Sequence, residues 1–73
     1  METRVLTQTS QTNAIKAQRL LQRYGISAKI IRISPKMTKN GCSFGLRVDS
    51  YAVNQAVLLL ENEGIDFGEI LAY

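Results

Sequence analysis

The chain has 73 residues and a formal net charge of +3; 45% of it is hydrophobic, with one cysteine and no histidine. That length holds one domain, 1–73, with a thin core, and the apolar content excludes disorder. The missing histidine excludes Ser-His-Asp and Cys-His catalysis within the chain, and the lone cysteine excludes an internal disulfide framework.

In chain order, alternation and apolar spacing predict a strand at 4–9 and a helix at 11–24. Ala14, Ala17, Leu20, Leu21 and Tyr24 share one face of that helix, and Ser10 is its expected N-cap. A second strand follows at 28–33. Pro, Asn and Gly in 34–41 give a turn into a third strand at 43–48. Asp49 is the expected N-cap of a helix at 50–63, whose Val53, Ala56, Val57 and Leu60 form the inner face. A fourth strand is expected at 67–72. Ile15 and Leu58 fall outside the two apolar faces.

The segment Leu20-Leu21-Gln22-Arg23-Tyr24-Gly25-Ile26 recurs 39 residues later as Leu59-Leu60-Glu61-Asn62-Glu63-Gly64-Ile65. At that offset Ala17 matches Ala56, Val5 matches Phe44 and Thr7 matches Leu46. Each half therefore reads strand, helix, Gly-Ile stop, strand. The Gly supplies a left-handed residue to end the helix, and the Ile packs back on the core. Two such units interleave as an α+β, ferredoxin-like split β-α-β fold, with an antiparallel sheet in the order 4-1-3-2 and both helices on one face. Leu6, Ile30 or Ile31, and Ile70 are candidates for the uncovered face, where a homodimer contact is expected.

This topology brings Cys42, at the start of the third strand, beside the end of the first strand and the start of the first helix. That corner collects the polar run 7–13, including Ser10, Gln11, Thr12 and Asn13, with Gly41 and Ser43 flanking the sulfur and Lys36 and Lys39 in the loop. Free N–H groups at a helix N-terminus and nearby lysines both favour negative charge, hence the thiolate, the form that attacks disulfides and persulfides. The strand pattern itself favours the opposing reading. Cys42 alternates in phase with Phe44, Leu46 and Val48, the core face, which makes it a small buried hydrophobe.

All nine Lys and Arg lie in residues 1–48 beside one acid, Glu2, a charge of +8; residues 49–73 carry five acids and no base, a charge of −5. Solvated helix faces account for such a split, as does a field that steers an acidic partner or drives head-to-tail self-association. Lys16, Arg19 and Arg23 line one side of the first helix, a stripe that suits phosphates or plain solvation. Nucleic acid is not the expected partner. Gly41-Cys42-Ser43-Phe44-Gly45 echoes an RNA-binding strand, but Gly45 and Arg47 would then have to form the core. Glu61, Glu63, Asp66 and Glu69 match no calcium loop, and no metal or cofactor is expected. Met1-Glu2-Thr3-Arg4 does not open a secretion signal, and no run is long enough to span a membrane, so the expected location is cytoplasmic.

These residues resemble the selenium/sulfur carrier protein-like family of small bacterial domains. The likeness covers about residues 5–73. It rests on Ala14-Ile15-Lys16-Ala17-Gln18-Arg19-Leu20-Leu21, on Tyr24-Gly25-Ile26, on Ile33-Ser34-Pro35 and above all on Gly41-Cys42-Ser43-Phe44-Gly45-Leu46-Arg47-Val48. The family usually has Gly after the cysteine, where this chain has Ser43. The resemblance implies that Cys42 accepts a sulfur or selenium atom as a persulfide or selenosulfide and passes it on. The protein would then be a carrier between donor and acceptor proteins more than a true enzyme. The alternative expectation is a non-catalytic interaction or regulatory module with Cys42 in its core.

Overall fold

The computed structural model describes residues 2–34, 36, 38, 39 and 41–72. Pro35, Met37 and Asn40 of the expected turn lie outside the described residues. The elements are β1 (Thr3–Gln8), α1 (Gln11–Arg23), β2 (Ala28–Arg32), β3 (Phe44–Asp49), α2 (Val53–Asn62) and β4 (Ile70–Ala72). They form one four-stranded antiparallel sheet in the order β2-β3-β1-β4, the ferredoxin-like split β-α-β arrangement expected from the repeat.

Helix α1 starts where Ser10 leaves extended backbone and its Oγ accepts from the Asn13 N–H at 3.1 Å, a side-chain N-cap. Asp49 gives no such bond. The chain instead enters α2 through a 3-10 turn, Ser50–Ala52, so the expected Asp49 cap is replaced by a tightened first turn.

The two helix ends are alike bond for bond. Gly25 and Gly64 have φ of +78° and +68°. The Gly25 N–H donates to the Gln22 carbonyl and the Ile26 N–H to that of Leu21; Gly64 and Ile65 repeat this on Glu61 and Leu60. These are Schellman motifs, and each following Ile returns to the core. Tyr24, expected on the inner face of α1, falls at the C-cap and is 57% exposed, because the helix ends there.

The core lies between the helices and one sheet face. It is built from Leu6, Leu46, Val48 and Ala28 of the sheet with Ala17, Leu20, Leu21, Ala56 and Leu60 of the helices. Directly paired residues share a face. Leu6 pairs with Leu46, and Ile30 does too, so both face the helices, not the open side. Ile70 pairs with Leu6 but is 46% exposed at the edge. Of the residues proposed for the open face, Ile31 lies there, opposite Gly45. The repeat also slips in the strands. Val5 and Thr7 face away from the helices, whereas their counterparts Phe44 and Leu46 face them, and one residue of register exchanges the two faces.

The open face is not bare. Val5 and Thr7 are fully buried and Ile33 nearly so. Ile33 continues the ladder by donating its N–H to the Ser43 carbonyl. A Cβ on Gly45 would collide with Val5 Cγ1 and touch Ile33, so the missing side chain lets these residues close together. The connection from β2 to β3 then reaches past β1. The Lys39 N–H donates to Glu69 Oε2 at 3.0 Å, and Glu69 shares the Thr7 face just before β4. The connection thus lies across one end of the open face.

Candidate functional site

Cys42 sits just before β3, outside the strand, after Gly41 with φ of +68°. β3 begins two residues later, at Phe44, so Cys42 lies outside the strand whose alternation it shares in sequence. Its N–H donates to Thr38 Oγ1 at 2.8 Å, which fixes the loop end to the strand start. Cys42 is half-buried and lies outside the buried hydrophobic cluster.

The sulfur faces the segment that leads into β4. There the Gly68 N–H donates to the Thr7 carbonyl at 2.8 Å, and the Thr7 N–H to the Glu69 carbonyl at 2.9 Å. The Glu69 N–H donates to Thr7 Oγ1 at 2.7 Å. A Cβ on Gly68 would lie 2.5 Å from Thr7 Oγ1 and 3.9 Å from Cys42 Sγ. Glycine is therefore required at 68 to keep the Thr7 hydroxyl in place, and it leaves space beside the sulfur.

An open hollow of about 300 Å³ results, lined by Thr9, Gly41, Cys42, Ser43, Phe44 and Gly68. Phe44 also borders a neighbouring hollow with Gln11 and Arg32, where the Arg32 guanidinium stands 5.6 Å above the Phe44 ring. The corner is polar but satisfied. The buried Gln8 amide donates to the Leu6 carbonyl and accepts from Asn13 Nδ2, which also donates to the Asp66 carbonyl.

Of the residues expected around the sulfur, Gly41 and Ser43 share its hollow. Ser10 is engaged as a helix cap and Asn13 ties α1 to β1 and to Asp66. Gln11 borders the adjacent hollow and Thr12 is exposed in the first turn of α1. Lys36 and Lys39 are exposed in the connection; the Lys36 N–H donates to Ser34 Oγ at 3.4 Å. None of these six lines the hollow among the described residues. Thr9, from the expected polar run, does line it, as do Phe44 and Gly68, which were not expected. The one sequence signal for Gly68 is a glycine at the start of an expected strand, which marks close backbone approach. Glu69 adds a carboxylate to the corner through its bond to the Lys39 N–H. Among the described residues no group of three or more Cys, Asp or Glu side chains is arranged to hold a metal, and no helix is long and apolar enough to cross a membrane.

The fold and the placement of its thiol define a ferredoxin-like domain with a cysteine at the rim of its sheet. The chain belongs to the family described as "Putative Se/S carrier protein-like", which matches residues 3–72. Searches of curated proteins and of solved structures found no match.

Proposed function

We propose that the protein is a sulfur or selenium carrier and that Cys42 is the atom-bearing residue. The observation that carries this reading is the position of Cys42, half-exposed in an open hollow at the sheet rim and outside the hydrophobic cluster. Family membership supports it. The Cys42 thiolate attacks the terminal sulfur of a donor persulfide. The Cys42 S–S bond forms, the donor S–S bond breaks, and the electron pair leaves on the donor thiolate. The sulfane sulfur moves without net oxidation, and the reverse sequence hands it to an acceptor thiolate. Selenium follows the same balance.

Lys36 and Lys39, exposed in the neighbouring loop, offset the negative charge of the loaded sulfur. Gly41, Ser43 and Gly68 leave room for it. A donor protein and an acceptor protein are the partners, and the cytoplasm is the compartment, where a free thiol stays reduced.

The test is mass spectrometry after exposure to glutathione persulfide. The native chain should gain one sulfur atom, lost again on reduction, and the Cys42→Ser variant should gain none. A native chain that stays unmodified, or a Cys42→Ser chain that still gains sulfur, would sink the proposal.

A further inference from the structure

Phe44 borders two hollows at once. One is the hollow of Cys42, and the other, of about 350 Å³, also takes in Gln11, Ile31 and Arg32. Arg32 and Phe44 are direct partners across β2 and β3, and the Arg32 guanidinium stands 5.6 Å from the centre of the Phe44 ring. Cation and ring attract, so an exposed side chain is held against the wall that the two hollows share. Cross-strand partners lie about 5 Å apart, and the two residues from Cys42 to Phe44 span at most about 7 Å. Arg32 and Cys42 are thus on the order of 10 Å apart, a distance over which charge still acts in physiological salt. No acid lines either hollow. Glu69, the acid of the corner, is engaged by the Lys39 N–H. Arg32 has no carboxylate partner among the described residues, whose one ion pair joins Arg4 to Glu2.

We infer that Arg32 is the specificity residue for a second kind of donor: small persulfides that carry a carboxylate, from which Cys42 takes sulfur directly. The inference rests on the carrier reading and adds the chemistry of a substrate to it. A guanidinium is a planar fork of donors that takes a carboxylate through two parallel hydrogen bonds. Holding the carboxylate there keeps the sulfane sulfur near the thiolate and raises its effective concentration. The Cys42 S–S bond then forms, the donor S–S bond breaks, and the carboxylate-bearing thiolate leaves with the electron pair. A neutral persulfide has no such hold.

Alkylation reads the subsite without sulfur transfer. Iodoacetate and iodoacetamide react with the same thiolate, and only the first carries a carboxylate. The ratio of their rates on the full chain should fall about threefold in Arg32→Gln. It should stay near native in Arg32→Lys, which keeps the charge. It should not move in Lys29→Gln, which removes an exposed cation of the same strand that lines a separate hollow. Loading by glutathione persulfide should slow by a like factor in Arg32→Gln, and loading by its diethyl ester should not. An Arg32→Gln chain that keeps the native ratio, or that slows with both persulfides alike, would overturn the inference and leave the carrier reading standing. A native chain that takes sulfur from neither persulfide would sink the carrier reading, and this substrate class with it, even where the alkylation ratio falls as expected.

Discussion

The two β-α-β halves end their helices with the same bonds and differ almost everywhere else. The first half has a side-chain cap, a 13-residue α1 and a five-residue β2. The second enters through a 3-10 turn, has a 10-residue α2 without a side-chain cap, and finishes in a three-residue β4. What is shared is local: a Leu three residues before the cap, a Gly at positive φ and an Ile that returns to the core. What differs depends on neighbours. β2 gains its length by pairing along β3, while β4 makes three pairs with β1, and Gly68 and Glu69 before it both bond to Thr7, Glu69 also to the loop.

Equivalent substitutions in the two halves are the strongest probe of this asymmetry. Leu21 and Leu60 occupy the same place in the motif and are fully buried. Each Leu→Ala change should lower stability by about 3 kcal/mol, measured by urea denaturation. A Leu60→Ala protein that lost only β4 protection in hydrogen exchange, with its global midpoint unmoved, would show the second half to be a separable attachment. Gly45→Ala comes next. It drives a Cβ into the fully buried Val5 at the meeting point of the halves and should cost about 2 kcal/mol, a clear fall in Tm.

The caps give a smaller contrast. Ser10→Ala should cost about 1 kcal/mol, and Asp49→Ala should stay within about 0.5 kcal/mol of wild type. Equal losses would mean that Asp49 caps α2 in solution. A comparably small stability effect is expected for Glu69→Ala, about 0.5 kcal/mol, since the lost bond to the Lys39 N–H is exposed. Its value is as a probe of the site. Releasing the loop should speed alkylation of native Cys42 several-fold, and an unchanged rate would mean that this bond does not hold the loop over the thiol.

The sheet order and helix ends were legible because they rest on short-range patterns: the repeat, the Gly-Ile stops and the Ser10 cap. The facing of β1 was not. Val5, Leu6, Thr7 and Gln8 are all fully buried, on both faces, so the strand carries no alternation to read. Leu6 was therefore assigned to the wrong side. The position of Cys42 at the rim was legible from topology, and its neighbours less so. Gly68 lies 26 residues along the chain from Cys42 and approaches it only through the pairing of β4 with β1. The phase argument did not put the thiol in the core because β3 begins only at Phe44 and leaves Cys42 before it, half-buried. The hollow depends on a glycine that contributes no side chain, which periodicity cannot reveal.

The outer strands also limit how this molecule can be recognised. An unpaired strand border is a template on which another chain can crystallise as one more strand, and proteins guard against it with charge or brevity. Both safeguards are present. β2 turns exposed Lys29 and Arg32 along one border, and β4 offers three residues along the other. Neither border is a good seam for extension into a continuous ribbon. Recognition is left to side-chain surfaces, which can release a visitor quickly, as the carrier role proposed for Cys42 requires.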